Sequence, residues 1–205
     1  MGLIYEKLVR PAFFRQDAER AHETGIRMLK TLGALGPLAG LMHRYNRPWR
    51  TEPIELFGLR FPSAVGLAAG YDKNGVAWKG LAALGFGHVE IGTVTALKQP
   101  GNEKPRLHRL PEYEALINSM GFNNEGAEAV AKTLARMPRA GQRAIPLGVN
   151  IGKSRSVSVE NAVPDYLASF NELCDFADYV AVNVSSPNTP DLRKLQNDKY
   201  LPMLL

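Results

Sequence analysis

A cluster of small polar side chains follows an apolar run near the end of the chain, at Ala181–Pro190. The run favours a buried strand because it is rich in β-branched residues, and Pro187 and Pro190 would end that strand. Hydroxyls and carboxamides both donate and accept hydrogen bonds, so this stretch suits a planar, heteroatom-rich ligand better than a metal ion. Taken alone, the stretch also fits a strand followed by an ordinary Ser/Asn/Pro turn.

Three earlier apolar runs also lead into polar stretches that carry glycine, namely Ala68–Lys73, Gly92–Thr95 and Asn150–Lys153. The periodicity predicts strands over 63–70, 88–95, 145–152 and 179–185, with helices over 74–84, 124–137 and 164–177. Strands that alternate with helices indicate a parallel sheet, whose strand ends share one ligand-binding face. Residues 96–122 read as an irregular insertion, longer than a connector needs, which suggests a lid.

The first 50 residues hold nine Lys and Arg against four Asp and Glu, whereas the rest of the chain holds sixteen of each. Two amphipathic helices are predicted here, over 17–32 with Asp17 as N-cap and over 35–45. Basic residues beside exposed leucines suit docking on an anionic membrane surface, and packing on the chain's own domain is the alternative. No recognised motif supports nucleic-acid binding. We find neither a secretory signal nor an apolar run of the roughly 20 residues that span a bilayer.

The chain has one cysteine, Cys174, in a helical pattern, which excludes an internal disulfide or a cysteine metal cluster. Its composition, 45% apolar and 22% charged, is that of an ordinary globular protein rather than a disordered one. We predict no metal site.

With these residues assembled, the chain resembles the membrane-associated, quinone-dependent dihydroorotate dehydrogenases of pyrimidine biosynthesis. Six motifs carry the resemblance and occur in order along nearly the whole chain. They are Gly66–Lys73, Gly85–Gly87 with Glu90–Thr95, Gln99–Asn102 with Lys104–Arg106, Asn118–Asn124, Asn150–Lys153 and Asn183–Thr189.

The resemblance implies a (βα)8 TIM barrel that holds FMN above its strand ends and oxidises dihydroorotate to orotate. Residues implied to bind the cofactor are Ala69, Gly70, Tyr71, Asp72, Lys73, Thr93, Asn150 and Asn183. Residues implied to bind the substrate are Lys73, Asn118, Ser119, Met120, Gly121, Phe122, Asn183 and Asn188. Ser186 would be the catalytic base that removes a proton from the substrate carbon.

A serine base marks the quinone-using members of the family, so the resemblance also implies ubiquinone or menaquinone as electron acceptor. The N-terminal helices would then form a lipid-facing entrance for the quinone. The implied location is peripheral, on the cytoplasmic face of the inner membrane if the source is bacterial. A hydroxyl is nevertheless a poor base at neutral pH, and neither a histidine nor a carboxylate adjoins Ser186 in the sequence.

A closed barrel needs eight βα units and typically about 250 residues, whereas only about four units can be read here. We therefore expect an N-terminal helical segment at 1–47 and the first half of an FMN-binding barrel at 48–205, which would be truncated. Two alternatives stay open. One is a non-catalytic half barrel that binds a ligand or pairs as a dimer, and the other is a barrel lyase or isomerase acting on a phosphorylated substrate.

Overall fold

The computed structural model describes residues 3, 5–46 and 52–204 of the 205-residue chain. The domain boundary predicted between residues 47 and 48 lies outside the described residues. The α-helices are α1 (Arg10–Phe14), α2 (Ala18–Ala34), α3 (Gly36–Asn46), α4 (Trp78–Ala83), α5 (Ala127–Leu134), α6 (Ala162–Leu173) and α7 (Leu201–Leu204). The strands are β1 (Ile54–Leu56), β2 (Leu59–Phe61), β3 (Val89–Val94), β4 (Leu107–Leu110), β5 (Ala115–Asn118), β6 (Leu147–Gly152) and β7 (Tyr179–Asn183). A π-helical segment (Tyr5–Val9) and three short 3-10 helices (Pro111–Tyr113, Cys174–Phe176 and Leu192–Gln196) complete the regular structure.

The central sheet is parallel, in the order β3-β6-β7. Its strands are short apolar runs connected by helices. This is expected for a parallel sheet, because the connecting helices pack on its face and bury the strands. The predicted strand over 63–70 contributes one bridging residue, Leu67, which pairs in parallel with Val89. The α/β class with a parallel sheet and helices is therefore confirmed, although the first predicted strand is reduced to a single bridge.

The hydrophobic core lies between this sheet and helices α4, α5 and α6. Ile91 and Val149 face it from neighbouring strands, and Leu134 and Leu173 meet them from α5 and α6. Side chains alternate along a strand, so residues next to these apolar ones point to the opposite face of the sheet. Packing against this core aligns the carboxyl ends of β3, β6 and β7, so the polar residues that follow them lie at the same edge of the sheet.

Residues 96–122 are not wholly irregular, which corrects the prediction from sequence. They contain the antiparallel hairpin β4–β5, in which Leu107 pairs with Asn118 and Leu110 with Ala115. Glu114, at the turn, adopts the left-handed conformation with φ of 49°. The hairpin lies against the N-terminal helices because Arg109 Nη1 donates a hydrogen bond of 2.7 Å to the backbone carbonyl of Gln16. A second hairpin, β1–β2, was not predicted.

Helix α2 begins as predicted, because the Asp17 side chain accepts hydrogen bonds from the backbone N–H groups of Glu19 and Arg20. The helix packs closely on α4: a Cβ placed on Gly33 would lie 2.8 Å from the Cβ of Lys79. Helix α3 buries no residue. Among the described residues, no helix is both long and apolar enough to cross a bilayer.

Candidate functional site

A cavity of about 430 Å3 opens at the carboxyl edge of the parallel sheet, under the β4–β5 hairpin. Twelve of the residues predicted for the site line it. They are Ala69, Gly70, Tyr71, Lys73, Thr93, Asn118, Met120, Gly121, Phe122, Asn183, Ser186 and Asn188. The remaining lining residues are His22, Leu107 and Leu116, so no carboxylate lines the cavity within the part of the chain that the structure describes. Stretches that lie more than 100 positions apart in sequence thus meet around one space, as the parallel fold predicts.

The backbone at Gly70 can approach a ligand closely. Gly70 has φ of +107°, a conformation that favours glycine, and no heavy atom lies within 4 Å of where its Cβ would be. Its backbone N–H donates a 2.7 Å hydrogen bond to the carbonyl of Gly92, which ties this turn to β3. The turn therefore leaves open space beside the sheet edge.

Asp72 does not line this cavity, although the sequence pattern grouped it with the residues that do. Its carboxylate accepts hydrogen bonds from the backbone N–H groups of Val76 at 3.0 Å and Ala77 at 2.7 Å. The side chain is buried, and burial raises the pKa of the carboxyl while those backbone N–H groups act to lower it. In this structure Asp72 caps the start of the segment that leads into α4.

Thr93, Asn150 and Asn183 form one hydrogen-bonded group across β3, β6 and β7. Thr93 Oγ1 donates to Asn150 Oδ1 at 2.6 Å, and Asn183 Nδ2 donates to the same oxygen at 3.2 Å. Asn150 lies beneath the other two and is buried, whereas Thr93 and Asn183 reach the cavity. The pairing irregularity between Ile91 and Val94 gives Thr93 this orientation, because it reverses the side-chain alternation of β3.

Lys73 supplies a positive group to the cavity, and its Nζ donates a 2.8 Å hydrogen bond to Asn123 Oδ1. Burial lowers the pKa of Lys73 to about 8, and the positive charge of Arg106 acts in the same direction. The ammonium is therefore poised to lose its proton slightly above neutral pH, and an anionic ligand beside it would favour the charged form.

Asn102 holds two parts of the cavity wall together. Its Nδ2 donates to the carbonyl oxygens of Ser119, at 2.8 Å, and Asn188, at 3.3 Å. Ser119 does not line the cavity itself, but its backbone is fixed by this contact. Asn102 belongs to one of the six motifs but had no predicted role, since nothing in its local pattern indicates contacts to residues so far along the chain.

Ser186 lies on the loop after β7, half-buried at the cavity wall. Its Oγ accepts a 3.3 Å hydrogen bond from the backbone N–H of Asn188, which fixes the turn of this loop. Among the hydrogen bonds of the described residues, none joins Ser186 to a histidine or a carboxylate. The hydroxyl thus faces the cavity without an adjacent general base.

His22 is a cavity residue that sequence reasoning missed. It lies on α2, and its ring meets the Tyr71 ring edge-on, with 4.9 Å between centroids. Burial lowers the pKa of His22, with a further lowering from the positive charge of Lys73, so the ring is biased towards its neutral form. The amphipathic pattern placed this helix on a surface and gave no indication that one of its residues reaches the strand ends.

The described residues contain no cluster of three or more His, Cys, Asp and Glu side chains that could hold a metal ion. The chemistry of the cavity wall is instead that of amides, hydroxyls, one lysine and one neutral-leaning histidine. Such a set binds planar heterocycles and carboxylates through directional hydrogen bonds.

Comparison with known proteins gives a consistent result. The sequence model of the family described as dihydroorotate dehydrogenase matches residues 53–205. A protein from Leifsonia xyli named dihydroorotate dehydrogenase (quinone) is 52% identical over 202 residues, which cover 98% of this chain and 58% of that protein. The protein of the same name from Methylococcus capsulatus is 50% identical over 203 residues, 99% of this chain and 57% of the relative.

The solved structures that this chain resembles belong to the same family as these sequence relatives. The ligand-free dihydroorotate dehydrogenase from Eimeria tenella superposes with a TM-score of 0.73 at 38% identity, covering 92% of this chain and 51% of that one. The complex of the Eimeria tenella enzyme with ferulenol gives the same TM-score and identity over 89% and 48% of the respective chains. This chain therefore spans between about half and three fifths of the length of the proteins it matches.

Proposed function

Because the chain belongs to the dihydroorotate dehydrogenase family, we propose that it serves the quinone-dependent oxidation of (S)-dihydroorotate to orotate in pyrimidine biosynthesis. The single observation that carries this proposal is the convergence of Lys73, Asn118, Asn183, Ser186 and Asn188 on one cavity at the strand ends. These side chains offer a cation, amides and a hydroxyl, which is the set that a ring bearing a carboxylate and several carbonyl and N–H groups requires.

The fold of the proposed enzyme is a (βα)8 barrel, to which the parallel strands described here contribute one side. The proposed division is a helical segment at 1–47 that serves the membrane and the quinone, and a barrel segment from residue 48. Support for the barrel comes from the parallel order β3-β6-β7 and from the parallel bridge at Leu67, which continues the sheet beyond β3.

FMN is the proposed cofactor. It would be held at the cavity by Ala69, Gly70, Tyr71, Lys73, Thr93 and Asn183, and by Asn150 beneath it. The cavity wall fits such a group because it combines amide and hydroxyl donors with the open space beside Gly70 and has no carboxylate. Bound FMN supplies a two-electron acceptor for the hydride that leaves the substrate, and a quinone takes those electrons on. For the hydride transfer, the part of the protein is to bind this cofactor, orient it and exclude water.

The proposed substrate contacts are made by Lys73, by the segment Asn118–Phe122 and by Asn183 and Asn188. Protonated Lys73 pairs with the substrate carboxylate, and the amides bind its ring carbonyl and N–H groups. Asn102 supports the site indirectly, since it fixes the backbone at both Ser119 and Asn188. The hairpin β4–β5 covers the cavity through Leu107 and Leu116 and limits the access of water.

Ser186 is the proposed catalytic base. Its Oγ would take the proton from the substrate carbon next to the one that loses the hydride, while its own hydroxyl proton passes to solvent water. The backbone N–H of Asn188 donates to this oxygen and would stabilise the negative charge that develops on it as the hydroxyl proton leaves. The same bond orients the side chain towards the cavity.

The electron acceptor proposed is ubiquinone or menaquinone, reached through the N-terminal helices. A second cavity, of about 460 Å3, lies between these helices and the β4–β5 hairpin, and Leu116 lines both cavities. Helix α3 buries no residue and exposes Leu38 and Leu41, which supports peripheral association with a membrane. The proposed location is the cytoplasmic face of the inner membrane if the source is bacterial.

The experiment that tests the function is anaerobic mixing of the purified chain with FMN and then dihydroorotate, while the visible spectrum and the elution volume are recorded. Retained FMN that is bleached by dihydroorotate supports the proposal. A compact dimer that retains FMN but is not bleached would favour the non-catalytic, ligand-binding alternative. A compact chain that retains no FMN at saturating concentration would contradict the proposed site.

A further inference from the structure

A half-buried row of polar contacts lies directly beneath the site, on the same face of the sheet. Glu90 on β3, Gly148 on β6 and Tyr179 on β7 are paired partners across three neighbouring strands. Gly148 has no side chain between the other two, and a Cβ there would lie 2.1 Å from the Tyr179 ring. The ring passes over this glycine, and Tyr179 Oη donates a 3.1 Å hydrogen bond to Glu90 Oε2.

The other oxygen of Glu90 contacts the site itself. Asn150 Nδ2 donates to Glu90 Oε1 at 2.9 Å. An ionised carboxylate can only accept hydrogen bonds, so Asn150 must turn its NH2 group down towards Glu90. Its carbonyl oxygen is then turned up, towards Thr93 and Asn183.

This orientation determines the next carboxamide as well. The upward oxygen of Asn150 accepts from Thr93 Oγ1 and from Asn183 Nδ2, so Asn183 must present its NH2 group to Asn150. Asn183 Nδ2 also donates to Thr93 Oγ1 at 3.0 Å. The oxygen of Asn183 is left to accept the backbone N–H of Ser185 at 3.1 Å and its hydroxyl at 3.3 Å.

We propose that Glu90 is a positioning residue that fixes the donor and acceptor orientation of the Asn150 and Asn183 carboxamides. Either amide could be rotated by 180° at little steric cost, because its oxygen and nitrogen are nearly equal in size. The Glu90 carboxylate accepts hydrogen bonds only, so it fixes the orientation of the Asn150 amide. The Asn150 oxygen then fixes the orientation of the Asn183 amide, which donates to it. The donor pattern offered to the cofactor is therefore set one layer below the cavity.

A carboxylate suits this task because both of its oxygens accept hydrogen bonds and neither donates. No ion pair is found for Glu90 among the described residues, so its hydrogen bonds to Asn150 and Tyr179 are its specific contacts there. A residue that merely filled space would place no demand on the direction of the amide.

The role of Glu90 towards a cofactor rests on the proposed function. The orientation of the Asn150 carboxamide is therefore tested first, without a ligand. In the unmodified chain, labelled with 15N and 13C, we expect a through-hydrogen-bond NMR coupling between Asn150 Nδ2 and the Glu90 carboxyl carbon. Its absence in a folded chain whose other side-chain couplings are observed would overturn the inference. This measurement needs neither a variant nor a ligand.

Two substitutions of similar size then distinguish an acceptor from a space-filling side chain. Glu90→Gln keeps an acceptor oxygen for Asn150, whereas Glu90→Met keeps the length without a strong acceptor. We expect the Asn150 and Asn183 side-chain amide signals to stay close to those of the unmodified chain in Glu90→Gln and to shift or broaden in Glu90→Met. Equal spectra for the two variants would contradict the proposal. Tyr179→Phe is the control, since it removes a donor to Glu90 and leaves the Asn150 contact intact.

The same variants report on the cofactor site through the dissociation constant for FMN alone. We expect binding to weaken at least about 10-fold in Glu90→Met and to change less than about 3-fold in Glu90→Gln and Tyr179→Phe. Amide signals that respond to Glu90→Met, in a chain that binds no FMN, would support the positioning role and count against the proposed function. FMN binding that is unaffected in Glu90→Met would overturn the role of Glu90 at the cofactor site.

Discussion

The Arg106 guanidinium lies against the Glu19 carboxylate, with 2.7 Å between Arg106 Nη2 and Glu19 Oε1 and both side chains buried. Arg106 Nη1 also donates to the carbonyl oxygens of Pro100 and Asn102. One side chain therefore joins helix α2 to the segment from which Asn102 reaches the cavity wall. Helix α2 therefore takes part in the site, through this ion pair and through His22, which lines the cavity.

Removing the charge of Glu19 should destabilise the chain, because Arg106 would be left buried without its ionic partner. For Glu19→Gln we expect the free energy of unfolding to fall by about 2 to 3 kcal/mol, measured by urea denaturation. Glu23→Gln is the matched control, since Glu23 is exposed on the same helix, and it should change stability by less than about 0.5 kcal/mol. Equal losses for the two variants would contradict this account.

The same pair predicts how the effect of Glu19→Gln depends on pH. The hydrogen bond from Arg106 lowers the pKa of Glu19 below its ordinary value of 4.5. A carboxyl whose pKa is lowered by folding contributes stability above its unfolded pKa and loses it as the pH falls through the folded pKa. The stability difference between the unmodified chain and Glu19→Gln should be full at pH 7 and shrink below pH 4.5. A difference that grew on acidification would be inconsistent with the pair.

Lys73 should make the binding of a carboxylate ligand sensitive to mildly alkaline pH. Its pKa is about 8, so the ammonium that attracts an anion is progressively lost as the pH rises through that value. We expect the affinity for orotate, measured by calorimetry, to fall between pH 7 and pH 9.5. Lys73→Gln should bind orotate more weakly and lack this dependence in the same range. A pH dependence that persists in Lys73→Gln would have to arise from another group.

Ser186→Ala should slow proton removal and leave the cofactor site intact. In a preparation that holds FMN, we expect anaerobic reduction by dihydroorotate to slow by about 10²- to 10⁴-fold, as followed by stopped-flow absorbance. The dissociation constant for FMN should stay within about 2-fold, because the hydrogen bond that Ser186 Oγ makes is one that it accepts from the backbone N–H of Asn188. Ser185→Ala, on the adjacent exposed residue, serves as control and should slow reduction by less than about 10-fold. A reduction rate unchanged in Ser186→Ala would exclude the serine as base.

Helix α3 should carry much of the membrane affinity. Leu38 and Leu41 are exposed on it, and the helix buries no residue, so charging this surface should not disturb the core. We expect the double substitution Leu38→Glu and Leu41→Glu to reduce sedimentation with phosphatidylglycerol vesicles by more than about 10-fold. Leu167→Glu, at an exposed leucine of α6, is the matched control and should sediment like the unmodified chain. Unchanged sedimentation of the double variant would contradict a role for α3 at the membrane.

The parallel strands could be predicted from sequence because one face of each is buried in the core. Each strand is therefore a short apolar run that ends at a polar stretch. The hairpin β4–β5 could not, since its strands are exposed and include His108 and Arg109, and their pairing depends on the helices beneath them. The first strand was predicted too long because only Leu67 of that run makes a sheet bridge.

For the site, the strand-end stretches were predicted from the polar residues that follow each apolar run. The roles of single residues, and the segment Asn118–Phe122, were implied by the family resemblance. Residues that act through distant contacts gave no such pattern. Asn102 contacts Asn188, 86 positions away, and Glu90 contacts Asn150, 60 positions away. These contacts form only when the chain folds and brings residues that are distant in sequence within hydrogen-bonding distance. No local spacing of residue types indicates them.

The contact between Glu19 and Arg106 also has a consequence for the order of events during synthesis. The two residues are 87 positions apart, and a ribosome adding about 5 to 20 residues each second needs roughly 4 to 17 seconds to make that stretch. During this interval Arg106 is not yet made, and α4 (Trp78–Ala83), which packs on α2, is completed only in its later part. Until then the apolar face of α2 lacks part of its cover, and an exposed amphipathic helix binds chaperones and lipid surfaces.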